Sequence, residues 1–167
     1  MRYKVTKILN DVACSNIILK HYKEIKPAFI GHEKIYNTKI RQSSIKLLSE
    51  DEKNLLVNDP NRELSIEVQF AEYNIGGFYD WHDDLWNRGF EEITTVILLN
   101  DEFEGGEFQI KTSDNQIETY KLKIGESIQF PAEVIHRVKP VTEGTRYSVA
   151  IWNSIIKMPT DKIVQIV

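Results

Sequence analysis

Short segments with the periodicity of β-strands, separated by turn residues, make up most of the chain from residue 64 onward. The first, 64–70, alternates apolar and polar residues, as expected for a strand with one buried face. Glycine, asparagine and proline residues mark the turns. Many short strands at this spacing predict a mainly β fold, either a sandwich or a double-stranded β-helix (jelly roll). Further segments lie at 93–99, 106–111, 117–122, 127–130, 135–138 and 146–153.

Helical patterns occur in the first third of the chain. Asn10 or Asp11 is a suitable N-cap for a helix over about 10–25. Ser49, followed by Glu52 three positions later, has the arrangement of a capping box, which indicates a second helix.

These patterns predict one domain over 1–167, with a helical support region at about 1–60 and a jelly-roll core at about 64–155. The runs 96–99 and 149–151 are apolar at successive positions. Such strands are expected where one face lines the barrel and the other lies under a helix.

Charge and composition exclude several classes of protein. A formal net charge of -4 and an isoelectric point near 5.6 argue against a general nucleic-acid binder. Cys14 is the one cysteine, so an intrachain disulfide is impossible and a reducing compartment is favoured. The N-terminus lacks an apolar signal segment, and no stretch is apolar enough to span a membrane. We therefore expect a cytoplasmic protein with neither membrane nor nucleic-acid partners.

The residues with the clearest chemical meaning are His82 and Asp84, then His136, and then Arg146 ten positions later. Two histidines and one carboxylate occupy three positions around Fe(II) and leave the others open. Since residues i and i+2 of a strand point the same way, His82 and Asp84 can bind one metal while Asp83 points elsewhere.

The C-terminal strands predict how Arg146 relates to this site. A hairpin with its turn at 141–144 would place Ser148 opposite His136 and Arg146 opposite Val138. His136 and Arg146 would then share a face roughly 6 to 7 Å apart. Arginine suits a buried carboxylate because its planar fork binds both oxygens and keeps its charge.

Five segments in this order and spacing resemble the Fe(II)/2-oxoglutarate-dependent dioxygenases, and within them the prolyl 4-hydroxylase-like branch. Together they extend over roughly residues 70–152, and the first sixty residues carry none of the resemblance. The segments are 73–84, 96–100, 104–108, 130–136 and 144–148.

The resemblance implies that His82, Asp84 and His136 bind the iron and that Arg146 binds the distal carboxylate of 2-oxoglutarate. It implies Fe(II) as the cofactor, 2-oxoglutarate as the cosubstrate, O2 as the oxidant and ascorbate as the reductant. The reaction expected is hydroxylation of an unactivated C–H bond with release of succinate and CO2. Related halogenases lack the carboxylate ligand, so Asp84 favours hydroxylation.

Three more positions concern the cosubstrate. Tyr73 matches a tyrosine that hydrogen-bonds 2-oxoglutarate in this family, and Ser148 matches a small polar residue beside the arginine. Several prolyl hydroxylases have a second cosubstrate tyrosine where this chain has Leu98, which has no hydrogen-bond donor. Thr94 or Ser148 is then expected to supply the missing polar contact.

The sequence leaves two classes of substrate open. The family branch implies a prolyl residue in a peptide or protein, with Tyr79, Trp86 and Arg88 as candidate substrate contacts. A free amino acid or other small molecule is the alternative, and it requires a charged clamp, for which Arg88 and Arg137 are candidates.

Each assignment has a simpler structural alternative. Trp81 is expected on the face opposite His82, and Trp152 lies on a strand, so packing is the expected role of both. For the whole chain the alternative is a jelly-roll binding module without catalysis.

Overall fold

The structure, a computed structural model, describes residues 3–30, 35–49, 51–53, 65–85 and 91–155. The described residues form one complete helix and fourteen strands. In chain order these are β1 (Val5–Lys7), α1 (Asp11–His21), β2 (Lys26–Pro27), β3 (Arg41–Gln42), β4 (Ser44–Leu47), β5 (Ser65–Tyr73), β6 (Phe78–His82), β7 (Glu91–Leu98), β8 (Phe103–Gly105), β9 (Phe108–Lys111), β10 (Ile117–Tyr120), β11 (Glu126–Pro131), β12 (His136–Val138), β13 (Val141–Gly144) and β14 (Arg146–Ile155).

Two antiparallel sheets form the body of the fold. The larger has the order β1-β11-β7-β14-β5-β4-β2, and the smaller has the order β10-β9-β12-β6-β3. Strands that follow one another in the chain, such as β5, β6 and β7, alternate between the two sheets. This is the predicted jelly-roll arrangement, and the mainly β fold is confirmed.

The larger sheet is apolar on both faces, as its sequence predicts. One face packs against the smaller sheet, where Ala71, Tyr73 and Val96 form a buried cluster with Phe108 and Ile110. The opposite face carries a second buried cluster, with Cys14 of α1 packed on it. Members of the second cluster on the sheet include Val68, Phe70, Ile97, Leu99, Val149 and Ile151.

Both predicted helix starts are confirmed. Asn10 Oδ1 accepts a hydrogen bond from Ala13 N–H at 2.8 Å, and α1 ends at His21, before the predicted residue 25. Ser49 N–H donates to Glu52 Oε2 at 2.8 Å, as in a capping box, and residues 51–53 are helical. No helix within the described ranges is both long and apolar enough to cross a membrane.

The region 1–60 is less purely helical than predicted, because its described part also contains β1, β2, β3 and β4. Three of these strands extend the larger sheet, and β3 forms an edge of the smaller one. Strands of two to four residues are too short to show an alternating pattern, so their sequence carries little signal.

The predicted hairpin before Arg146 is wrong. Residues Val141–Gly144 form β13, which pairs with β8 in a separate two-stranded sheet. The chain therefore crosses from the smaller sheet to the larger one at this point, instead of turning back on itself. His136 pairs with His82 and Ile110, while Arg146 pairs with Tyr73.

Candidate metal centre and active-site cavity

Three side chains with metal-binding atoms meet between the two sheets. His82 ends β6, and His136 begins β12 directly opposite it. With Asp84 they bring one ligand atom each within 4.8 Å of one another. The carboxylate of Asp84 lies 3.8 Å from His82 Nε2 and 3.4 Å from His136 Nε2. Two imidazoles and one carboxylate are the donor set of non-haem Fe(II) sites, so the predicted trio fits iron.

Backbone carbonyls orient both imidazoles. Nδ1–H of His82 donates to Asp80 O at 2.7 Å, and Nδ1–H of His136 donates to Val134 O at 2.9 Å. Because a carbonyl oxygen only accepts, the proton sits on Nδ1 and each Nε2 keeps a lone pair for a metal. Burial, with a smaller contribution from His136, holds the pKa of His82 well below its usual value. His82 is therefore neutral, as a metal ligand must be.

Asp84 lies beyond the end of β6, so strand alternation alone does not account for its orientation. Its N–H donates to Ala132 O at 2.8 Å, and its Oδ2 accepts from the hydroxyl of Thr94 at 2.8 Å. Thr94 is fully buried. These two hydrogen bonds fix where the carboxylate points.

Arg146 is a buried cation in the same inter-sheet space. It is 1% exposed, and its Nη1 donates to Ser148 Oγ at 2.8 Å. Its Nε has no hydrogen-bond partner among the described residues, and no described carboxylate lies within 4.0 Å of it. The ring of Tyr73 is 5.4 Å from the guanidinium carbon. A buried cation without a counter-ion is expected to take an anionic ligand. Ser148 and Tyr73, the other two candidate cosubstrate residues, lie beside Arg146.

A β-bulge brings Tyr79 into the site. Tyr79 is three residues before His82, so regular alternation would put the two on opposite faces. In the pairing of β6 with β12, His136 lies opposite His82 and Val138 lies opposite Tyr79, so β6 has one extra residue. The Tyr79 ring stacks on the His82 imidazole with centroids 3.4 Å apart. Burial raises the pKa of Tyr79 to about 12, so its hydroxyl stays protonated.

Three further residues line the cavity although the sequence analysis did not assign them to the site. Trp152 lines the cavity between the two sheets that His82, Asp84 and Arg146 also line. Its buried indole N–H has no hydrogen-bond partner among the described residues. Its even spacing from Arg146 and Ser148 along β14 was the available signal. Gln69 of β5 and Arg41 of β3 also line the cavity, and no sequence motif marked either one.

Leu98 stands where several prolyl hydroxylases have a second tyrosine that binds the cosubstrate. Leu98 pairs with Ser148, and its side chain lines a separate cavity of about 210 Å³ that also reaches Arg146. Of the two residues predicted to compensate, Ser148 contacts Arg146, whereas Thr94 is hydrogen-bonded to Asp84 instead.

Of the two arginines predicted as a charged clamp for a small-molecule substrate, the structure describes Arg137. Arg137 follows His136 on β12 and stacks on Trp81, 4.3 Å from the ring centroid, while its Nε donates to Gln109. These contacts place Arg137 on the outer face of the smaller sheet, away from the metal centre. Trp86 and Arg88 lie outside the described residues.

A sequence model of the 2OG-Fe(II) oxygenase superfamily matches residues 68–154, more than half of the chain. The chain belongs to this superfamily. The matched span contains every residue of the trio and Arg146, and the resemblance inferred from the motifs is confirmed.

Among named relatives, a PKHD-type hydroxylase from Synechococcus sp. (strain JA-2-3B'a(2-13)) is 31% identical over 126 residues, which cover 70% of this chain and 56% of the relative. The chain thus spans about half the length of the curated relatives it matches.

Two solved structures share the fold. A prolyl-4-hydroxylase from Pseudomonas putida superposes with a TM-score of 0.71 at 20% identity, covering 92% of both chains. A prolyl hydroxylase from Trichoplax adhaerens, in complex with a hypoxia inducible factor peptide fragment, gives a TM-score of 0.74 at 17% identity. This match covers 91% of our chain and 83% of the other.

Proposed function

We propose that the protein is an Fe(II)- and 2-oxoglutarate-dependent hydroxylase. The observation that carries the proposal is the ligand trio of His82, Asp84 and His136. Two of its members, His82 and Asp84, line the same cavity as the uncompensated cation of Arg146. A metal trio alone fits many reactions. A buried arginine in the same cavity adds the requirement for an anionic cosubstrate.

His82 Nε2, His136 Nε2 and one Asp84 oxygen would hold the metal. Arg146 would bind the distal carboxylate of 2-oxoglutarate, with Ser148 and Tyr73 beside it. With O2, the bound iron and cosubstrate supply the oxidising power to hydroxylate an unactivated C–H bond, releasing succinate and CO2. Ascorbate is proposed as the reductant that keeps the iron ferrous.

The chain itself orients these groups and excludes water. Phe130 and Phe108 pack on the His136 ring at centroid distances of 4.8 and 5.6 Å. Both phenylalanines are buried, so one side of the metal centre is apolar. An apolar wall of this kind limits the approach of water to the reacting atoms.

A prolyl residue in a peptide or protein is the proposed substrate. The PKHD-type relatives and the two prolyl hydroxylases of the same fold support it, one of them with a peptide in its complex. Tyr79 would face this substrate from its position on His82, with Trp86 and Arg88 proposed from the sequence. We further propose a single domain over 1–167, a cytoplasmic location and no nucleic-acid partner.

A free amino acid or another small molecule is the second candidate substrate. The observation that favours it is Arg41, a second arginine lining the cavity, which is the kind of charged clamp that such a substrate requires. A non-catalytic binding module is the alternative of another class.

Succinate formation from 2-oxoglutarate, assayed with Fe(II) and ascorbate, tests catalysis. Wild type is expected to form succinate above the level of His136→Ala, and equal levels would favour the binding module. Mass spectrometry of proline-containing peptides then tests the substrate, through the mass gain of one oxygen atom. Turnover with a small metabolite but with no peptide would reject the peptide substrate.

A further inference from the structure

Arg41 is a second buried cation next to the metal centre. It is 6% exposed and lies directly opposite Tyr79 in the pairing of β3 with β6. Its guanidinium carbon is 4.4 Å from the centre of the Tyr79 ring, and that ring is stacked on His82 at 3.4 Å. One aromatic ring therefore separates the guanidinium from a proposed metal ligand.

The guanidinium has unused hydrogen-bonding capacity. Nε donates to Ser43 Oγ at 2.9 Å, and Nη1 donates to Phe29 O at 3.3 Å. An arginine has five N–H donors, and the described residues offer partners to two of them. No described carboxylate lies within 4.0 Å of Arg41. Two neutral acceptors hold the side chain in place without compensating its charge.

The charges around the cavity do not balance without a further anion. The charged side chains among its described lining residues are Asp84, Arg41 and Arg146. Iron(II) is a dication and 2-oxoglutarate is a dianion, so together they would add no net charge. One positive charge remains, and burying it without a partner is costly. A ligand that brings one negative charge close to Arg41 would offset that cost.

Arg41 is also accessible from outside the cavity. It lines a groove of about 270 Å³ whose other walls include Tyr36, Asn37 and Ile75. Arg41 lines both the groove and the metal-site cavity, so a ligand in either one lies against its side chain. Glu72 lines the same groove, but its carboxylate accepts a hydrogen bond from Asn74 at 2.7 Å.

We propose that Arg41 binds a carboxylate of the substrate and so selects acidic substrates. The inference rests on the proposed hydroxylase function, which supplies the reaction but not this selectivity. The carboxylate belongs either to an acidic residue beside the target residue of a peptide or to a free amino acid. Both sources present the same group to the guanidinium.

Paired probes test the charge directly. One pair is two proline peptides that differ by Glu or Gln next to the proline, and the other is L-proline and L-prolinamide. Binding is measured calorimetrically on Co(II)-loaded protein with 2-oxoglutarate and without O2, so no turnover is needed. In wild type, the acid in one of these probe pairs is expected to bind at least about tenfold more tightly than the matching amide. This is the difference expected for one charge-assisted hydrogen bond. The pair that shows the preference identifies the source of the carboxylate.

Variants separate recognition from packing. Arg41→Met keeps an apolar stem over Tyr79 and is expected to abolish the preference for the acid. Arg41→Lys keeps the charge and should retain part of it. Lys39→Met, which removes an exposed cation that lines neither cavity, should leave the preference unchanged. A purely structural role for Arg41 would weaken acid and amide binding equally.

The inference is overturned if neither pair discriminates in wild type, or if the preference survives Arg41→Met. The same measurements distinguish failure of this inference from failure of the proposed function. An acid preference that depends on Arg41, with no succinate formed under aerobic Fe(II) conditions, would support the carboxylate site and reject the hydroxylase.

Discussion

Replacing Thr94 with valine should weaken metal binding although Thr94 touches no metal. Its hydroxyl donates to Asp84 Oδ2 at 2.8 Å from a fully buried position. Valine has nearly the same shape, so the main change is loss of one hydrogen bond to a charged acceptor, worth about 1.5–3 kcal/mol. Outer partners of metal ligands typically contribute roughly 10- to 100-fold in metal affinity. The two estimates agree, because about 1.4 kcal/mol corresponds to a factor of ten.

Titration with Co(II), followed by its visible absorption, measures this affinity without catalysis. Thr94→Ser is the matched control: it keeps the donor and loses one methyl group, at a cost of about 0.8 kcal/mol in stability. Serine should therefore bind metal nearly as wild type does, while valine should not. If Thr94→Val binds Co(II) as tightly as wild type, or if Thr94→Ser loses as much Co(II) affinity as Thr94→Val, Thr94 does not orient Asp84.

Three further predictions concern single side chains. Arg146→Ala should weaken 2-oxoglutarate binding at least about tenfold while Co(II) affinity stays within twofold, and equal loss of both would contradict its assignment as the cosubstrate anchor. Gly106→Ala should also weaken 2-oxoglutarate binding, because the new methyl group would lie 3.0 Å from Arg146 Cδ and would displace that side chain. The φ of +61° at this position adds backbone strain for alanine. Unchanged calorimetric affinity for 2-oxoglutarate would show that Gly106 does not position Arg146. Burial raises the pKa of Glu52, but hydrogen bonds from Ser49 and Lys46 outweigh it and lower the pKa to about 2. The ionised Glu52 stabilises the fold at a pH above its unfolded pKa of 4.5, and this stabilisation is lost as the pH falls toward 2. The free energy of unfolding of Glu52→Gln, measured with urea, should therefore depend less on pH in that range than that of wild type. Equal pH dependence would refute the stabilising role of Glu52.

Local patterns predicted much of the fold. The seven strand segments correspond to strands of the structure, because alternation reports which face of a strand is buried. Asn10 and Ser49 marked helix starts correctly, since capping depends on residues three positions apart. The trio converges because β6 and β12 are adjacent strands, although sequence could not show that adjacency.

The failures come from non-local structure. The hairpin before Arg146 was inferred from proximity in sequence, but β13 pairs with β8 and carries the chain to the other sheet. Tyr79 was a predicted substrate contact, but the bulge that brings it into the cavity was not predicted, because an extra residue in one strand is not visible as a break in alternation. Arg41 lies on a two-residue strand about forty positions before His82, and only the pairing of β3 with β6 brings it to the site.

The division of the site between two sheets has a physical consequence. His82 and His136 stand on the smaller sheet, whereas Arg146 stands on β14 of the larger one. The distance between the proposed metal ligands and the proposed cosubstrate anchor is therefore set by the packing between the sheets, which in β-sandwiches is about 10 Å. Phe108 and Phe130 fill that space beside His136. Because packed cores relax only partly when side chains are truncated, shortening either ring should alter 2-oxoglutarate affinity without removing a single contact to it.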